Sequence, residues 1–526
     1  MLAHILTTVH LLNLVSVTRT FNWRDIHLPP QHLPHFFHNK PHLVEMCRNS
    51  GDCPFKDQIE QRACWGYEAD CSYPNAYGHP VCPHEYRGPI YSSWAYGFEV
   101  TNHAEQLYTF YHQADFGYVK KQQEELKVYC EPYHQDDSSL ECSNSLRFCR
   151  GKNIFIDLRD LHHRQSAIVY DTDVLKPGQI GGHCRLNRGL LKDNLDEVGF
   201  LRSWAPELQN FEETTEQVAR NTICDTWVDR PAYIVKIDAT VNMYHHFCDF
   251  LNLFAAQHVN NTNDHSFSTD VQILIWRTSP DTSNFAPMWD AFTKWPVWSL
   301  EDVAGKRICF KQVVLPLLPR MSFGLFYNTP IVSGCERSGM FHAFSKHIIH
   351  RLGVPQPTVV GEKIHVTILS RETSYRNILN EGELIKALRE NEDVVVRKVT
   401  YSHQLGFRKQ LAHDQWTDIF VGMHGAGLTH LLFLPDWAVI FEIYNCDDPD
   451  CYYDLARLRG IKYMTWEDES KLTQQDEGHT HTLGAHKKFT NYTFDVKEFL
   501  RLIMKAVDHV KTHPGWLKLH SNKDEL

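Results

Sequence analysis

Nowhere in this chain do two cysteines stand as Cys-x-x-Cys; the closest pair is Cys446 and Cys451, so the dithiol motif of a thiol oxidoreductase is missing. There is no His-Glu-x-x-His and no Cys-His spacing of a zinc site, which removes the commonest metal-hydrolase readings. Past the first twenty residues no apolar run reaches about 18 residues, the length a membrane-spanning helix needs. Positive charge is not in excess: 53 Lys and Arg face 64 Asp and Glu, a formal net charge of -11. That balance disfavours nucleic acid or an anionic membrane surface as a partner. No repeat of 20 to 50 residues runs along the chain, which excludes solenoids and propellers.

What is present is enough apolar material, 42% hydrophobic and 12% aromatic residues, to bury large cores. A length of 526 residues implies two to three domains. Two addresses stand at the ends. Residues 1–20 hold an apolar stretch from Leu2 to Val17, broken by His4, His10 and Asn13, which reads as a cleaved signal peptide. The last four residues, Lys523, Asp524, Glu525 and Leu526, spell a retrieval signal read by the KDEL receptor. Each has meaning only in the secretory pathway, so residence in the endoplasmic reticulum lumen, without membrane insertion, is the expectation.

Nine of the 15 cysteines fall between Cys47 and Cys184, in Pro- and His-rich text. In an oxidising compartment that clustering predicts a disulfide-stapled, irregular amino-terminal region over 21–230, each bridge contributing about 2–4 kcal/mol. The pairing stays open, and an odd total leaves at least one thiol unpaired. Asn260 and Asn491 head Asn-x-Thr sequons and are expected glycosylation sites.

From about Ala232 the text turns into alternating strand and helix signals. Strand-like Tyr233–Ile237, a helical pattern over Tyr244–Val259 and strand-like Val271–Trp276 predict a parallel βαβ unit within 231–355. The rhythm returns over 356–520, with strands at Ile364–Leu369, Val394–Val399, Asp418–Val421 and Ala438–Ile443. The fold class is therefore α/β, two Rossmann-like domains facing a cleft.

Three segments have the residue types for chemistry. His424-Gly425-Ala426-Gly427 follows a predicted strand and opens a predicted helix; such glycines let the backbone approach an anion, although a tight packing turn reads the same way. Arg371 and Arg376, five apart after another strand, can fork a diphosphate or sit ion-paired on the surface. In Asn242–Phe250, His245 and Asp249 stand one helical turn apart, so the carboxylate can orient the imidazole or remove a proton itself; a plain helix start is the alternative.

With Leu318–Pro330, these segments make the chain resemble the EGF-domain-specific O-linked N-acetylglucosamine transferases and, more distantly, other members of the same glycosyltransferase family. The resemblance implies a GT-B-like fold and UDP-N-acetylglucosamine as donor substrate, with no tightly bound cofactor. It further implies β-linked transfer, with inversion, to Ser or Thr of folded EGF repeats on secreted or receptor proteins. By the same route Arg371, Arg376, His424, Gly425 and Gly427 become donor-site residues, Glu442 a ribose contact, and His245 or Asp249 the base. One departure is visible: where relatives carry a short acidic tripeptide, this chain reads Trp289–Val297 without paired carboxylates, so no protein-bound metal is expected there and metal dependence stays open. An O-mannose-directed transferase of the family and a non-catalytic lectin-like chaperone are the rival readings.

Overall fold

The computed structural model describes residues 22–521 apart from 83–86, 93–94, 162–173, 197–198, 221, 262, 278–282, 327–328, 330–331, 333, 359–360, 403 and 481–483. The expected signal peptide and the retrieval residues Lys523, Asp524, Glu525 and Leu526 lie outside these residues. Among the described residues no helix is long and apolar enough to cross a membrane.

Two large sheets organise the chain. The first follows the path Trp298–Ser299, Gln272–Ile275, Ala232–Val235, Arg307–Leu315, Cys149–Asp157, Ser139–Cys142, Lys127–Glu131, Arg185–Leu186. Its first four strands are parallel, in the order third, second, first, fourth along the chain. The long strand Arg307–Leu315 then turns its other edge to Cys149–Asp157, antiparallel. The amino-terminal region is therefore not irregular throughout: from Lys127 onward it supplies seven of the eleven strands. A parallel core with an exposed edge needs that edge covered, and the added antiparallel strands cover it.

The second sheet holds five parallel strands in the order Val394–Val399, Ile364–Leu369, Ile419–Gly422, Val439–Glu442, Lys462–Thr465. Ile419–Gly422 and Val439–Glu442 are buried along their whole length, as strands covered on both faces must be. In both sheets the order reverses between two neighbouring strands, and that reversal opens a crevice at their carboxyl ends where open α/β sheets bind ligands. One crevice lies beyond Val235 and Leu315, the other beyond Leu369 and Gly422.

The helix Met243–Val259 is buried over nearly its whole circumference, because it lies between the two units. From it Phe247 meets Phe407 and Phe433 edge-on, with ring centroids 5.7 and 5.5 Å away. One contiguous apolar core thus joins both halves, while a second belongs to the five-stranded sheet and the amphipathic helix Val496–Thr512. The segment after the glycine turn, expected to be an α-helix, is the 3-10 helix Ala426–Phe433. Its residues from Leu428 to Phe433 are all buried, and Pro435 stops it from extending.

Six disulfides pair Cys47 with Cys53, Cys64 with Cys71, Cys82 with Cys335, Cys130 with Cys184, Cys142 with Cys149, and Cys224 with Cys309. Eight of the nine clustered cysteines pair within the cluster, and Cys82 ties it to the segment before the helix Gly339–Arg351. Cys248, Cys446 and Cys451 are unpaired.

Candidate functional site

At the crevice of the second sheet, the strand end Leu369 leads into Arg371 and Arg376, and the strand end Gly422 leads into His424 and Gly425. The four come together around one carbonyl. Arg376 Nη1 donates to the His424 carbonyl oxygen at 3.0 Å, and Arg371 Nη1 lies 3.5 Å from the same atom. Gly425 has φ +152°, and a Cβ there would strike the Arg371 guanidinium, so glycine is required for the arginines to reach the turn. At Gly427 the neighbour is protein: a Cβ would lie 2.6 Å from Leu369 Cδ2, which makes this glycine a packing requirement between turn and strand.

The charge here is uncompensated. Among the described residues no carboxylate forms an ion pair with Arg371 or Arg376, and Arg376 Nε is buried without a hydrogen-bond partner. Burial, and then the neighbouring Arg376, lower the Arg371 guanidinium to about 10. Two adjacent cations in a half-buried pocket repel each other and are poorly solvated, and an anion relieves both. The backbone adds to the strain: Arg376 has φ +61°, in the left-handed region, and is held there by its N–H bond to the Thr490 carbonyl at 2.7 Å.

His424 is buried and points its Nδ1 at Glu442 Oε1, 2.8 Å away, while Asp448 Oδ2 lies 3.6 Å from its Nε2. Glu442 is fully buried and its other oxygen accepts from the Tyr463 hydroxyl at 2.5 Å. Burial pushes the Glu442 carboxyl up, and His424 opposes that. Both oxygens being engaged inside the protein, Glu442 orients His424 and does not face a ribose as expected.

At the crevice of the first sheet stands a different arrangement. Arg320 grips Asp238 with both arms, Nε to Oδ2 at 2.7 Å and Nη2 to Oδ1 at 3.1 Å. His245 Nδ1 lies 3.1 Å from Asp238 Oδ2. Burial alone would raise the Asp238 carboxyl; His245 and Arg320 outweigh it and hold the group below its ordinary range. The His245 imidazole remains about a quarter exposed. Asp249, expected to pair with His245, does not. Its carboxylate bonds His246 Nδ1 at 2.9 Å and the Asp238 N–H at 3.1 Å, and burial pushes it up to about 6. It is 3% exposed, too enclosed to meet a substrate hydroxyl, and acts by fixing the loop that carries Asp238.

The two crevices are linked by rings: His245 to Tyr244 at 5.7 Å, Tyr244 to Tyr452 at 5.7 Å, and Tyr452 to His424 at 5.3 Å. Sequence reasoning missed Asp238, Arg320 and Tyr452. Asp238 was findable as the acidic residue just past a strand end, and Arg320 as its counterpart past the next strand in the sheet. Nothing local marks Tyr452.

Of the two sequons, Asn260 is buried at the end of its helix, 4% exposed, and is not the accessible site expected. Asn491 lies beside the arginine loop, its Oδ1 2.9 Å from the Asn377 N–H. In the Trp289–Val297 segment Asp290 pairs with Arg408 at 2.8 Å. Among the described residues one side-chain group has metal-ligand spacing, Cys64, Glu68 and Cys71, and its two sulfurs are joined in a disulfide.

Comparison with known proteins places this geometry. Residues 226–441, which span both crevices, match the Glycosyltransferase 61 family. The chain is 51% identical to the EGF domain-specific O-linked N-acetylglucosamine transferase of Drosophila melanogaster over 487 residues, 92% of this chain and 91% of that protein. It is 46% identical to the Bos taurus transferase of the same name over 516 residues, 97% and 95% of the two chains, and 45% identical to that of Gallus gallus over 517 residues, 96% and 94%. This chain is a glycosyltransferase and belongs to the family of the EGF domain-specific O-linked N-acetylglucosamine transferases.

Proposed function

We propose that the protein transfers N-acetylglucosamine from UDP-N-acetylglucosamine to Ser or Thr hydroxyls of folded EGF-like domains, with inversion, in the endoplasmic reticulum lumen. The observation that carries this reading is the pair of guanidiniums without carboxylate partners, Arg371 and Arg376, held against the Gly425 turn at a sheet's ligand-binding crevice. A pyrophosphate presents the planar oxygen pairs that such a fork grips, and the family's donor carries one.

The roles divide between the crevices, in a GT-B-like arrangement. Arg371 and Arg376 neutralise the charge that grows on the departing UDP as the bond from its β-phosphate oxygen to the sugar C1 breaks. His245 takes the proton of the acceptor hydroxyl as that oxygen bonds C1 from the opposite face. With the His245 Nδ1–H donated to Asp238, its Nε2 carries the lone pair that accepts the proton. Arg320 grips both oxygens of Asp238 and keeps it ionised, with its Nη2 3.2 Å from His245 Nδ1. The terminal motifs and the relatives' name support the compartment and the acceptor class.

The test is direct. Purified protein given UDP-N-acetylglucosamine and a single folded EGF repeat should yield one added sugar by mass, β-linked by NMR, and Arg371→Ala should abolish it. A wild-type preparation that binds the repeat but never consumes the donor would favour the chaperone. Preference for an O-mannosylated peptide would move the acceptor class.

A further inference from the structure

Asn491 heads a sequon, yet its side chain is built into the loop that carries Arg371 and Arg376. Its Oδ1 accepts two hydrogen bonds from Asn377, one from the backbone N–H and one from Nδ2, each 2.9 Å. Its Nδ2 donates to Gln475 Oε1 at 2.8 Å and lies 3.4 Å from the Ser374 carbonyl. Asn377 directly follows Arg376, whose backbone is held at φ +61°. A non-glycine residue in that region costs about 1–3 kcal/mol and persists only where its surroundings fix it. Most of the fixing contacts come from the Thr490–Tyr492 segment, Arg376 N–H to the Thr490 carbonyl at 2.7 Å, Asn377 to Asn491, and Tyr492 N–H to the Asn377 carbonyl at 3.0 Å, and one lies within the loop, Asn377 Nδ2 to the Thr373 carbonyl at 2.7 Å.

The geometry points to Asn491 as a positioning residue of the donor pocket, one whose sequon stays unmodified in the working protein. This rests on the donor-site reading above. An N-linked glycan replaces one Nδ2 hydrogen, and those hydrogens face Gln475 and the Ser374 carbonyl of the arginine loop. A glycan on Nδ2 takes the place of the bond to Gln475 or of the contact with the Ser374 carbonyl, so modification at Asn491 and the full set of its contacts to the loop exclude each other.

Four substitutions separate the possibilities. Asn491→Ala removes the clamp; Asn377→Ala removes its Nδ2 half, and with it the bond from Asn377 Nδ2 to the Thr373 carbonyl, but keeps the backbone half; Thr493→Val destroys the sequon and leaves Asn491 in place; Asn491→Asp keeps the acceptor oxygen. With two hydrogen bonds of about 1 kcal/mol each at stake, UDP binding by calorimetry should weaken about tenfold or more in Asn491→Ala. The donor KM should rise with it and kcat should hold, whereas a generally loosened fold would lower kcat as well. Asn491→Asp, which keeps the acceptor oxygen toward Asn377, should recover part of the affinity. Thr493→Val should behave as wild type, and peptide mass analysis of protein made in a glycosylating host should find Asn491 bare in the active fraction. If Asn491→Ala and Asn377→Ala bind UDP as wild type while Arg371→Ala does not, or if active protein carries a glycan on Asn491, the inference is wrong and the donor site stands. Unchanged UDP binding in Arg371→Ala would instead remove the donor-site reading.

Discussion

The two crevices both lie where a parallel strand order reverses, and their charges are arranged in different ways. Past Val235 and Leu315 the charges are closed on themselves: Arg320 and His245 saturate Asp238, and beneath them Lys236 is sealed against Glu207 at 2.7 Å, with both side chains almost wholly buried. Past Leu369 and Gly422 the arginines are left open, two guanidiniums around a carbonyl, and among the described residues no carboxylate pairs with either, Glu442 and Asp448 being turned to His424. A closed cluster fixes an imidazole and holds its tautomer; an open pair attracts an anion. The difference teaches that a reversal of strand order says where a ligand sits, while the balance of neighbouring charge says which kind.

Four experiments sharpen or break that contrast. The largest effect is expected at the closed cluster: His245→Ala should lower kcat about 10²–10⁴-fold, the usual worth of a positioned general base, and leave UDP affinity unchanged. Asp238→Asn should follow it in kcat, and equal losses of UDP affinity in either variant would erase the division of labour. At the open pair, Arg371→Ala should cost about 10²–10³-fold in kcat/KM, comparable to deleting one donor to a developing anion, and should weaken UDP measurably in calorimetry.

The third tests stability rather than turnover. Glu207→Ala strands Lys236 in the core and should destabilise the fold by about 3–5 kcal/mol, read as a lower midpoint in denaturant. An unchanged midpoint would mean that the buried pair does not hold the short helix Ala205–Leu208 to the parallel core.

The smallest expected effect concerns acid. Buried histidines pack around Trp65 and Phe267 in the amino-terminal half. Burial holds His32, His258 and His347 well below 6.5, and His35 and His350 at about 4. In the unfolded chain they titrate near 6.5, so below that pH the unfolded state binds protons that the folded state refuses. Their contribution is complete above 6.5 and is lost as pH falls toward 4, at up to about 1.4 kcal/mol per proton per pH unit. Burial also raises five carboxyls, Asp115 and Asp249 to about 6 and Glu207, Glu442 and Asp454 upward, and these act in the opposite sense, but they are outnumbered, because burial lowers His27, His112, His342, His413, His509 and His513 as well. The melting temperature should therefore drop between pH 6.5 and 5, and a rise would contradict the sign.

Legibility in the sequence followed the range of the interaction. Ile364–Leu369 and Val394–Val399 were readable to the residue, because each is dense in β-branched residues, even with His365, Arg397 and Lys398 among them. The arginine and glycine segments were readable as chemistry because each sits directly past a strand. What escaped depends on partners distant in sequence. Asp238 and Arg320 are 82 residues apart and meet only because the strand order reverses between them. The choice of Asp238 over Asp249 as the partner of His245 is set by a loop, not by helical spacing. The helix Val496–Thr512 carried a local sign, with the Asp495 side chain accepting from the Glu498 N–H. By contrast, most of the strands from Lys127 to Val228 are short, and several are stapled by disulfides, with too little periodicity to read.

The most direct measurement is a crystal structure with UDP bound. Its pyrophosphate oxygens are expected within hydrogen-bond distance of the Arg371 and Arg376 guanidiniums and above the Gly425 turn. UDP seated elsewhere, with both arginines still turned to the His424 carbonyl and to nothing else, would contradict the account.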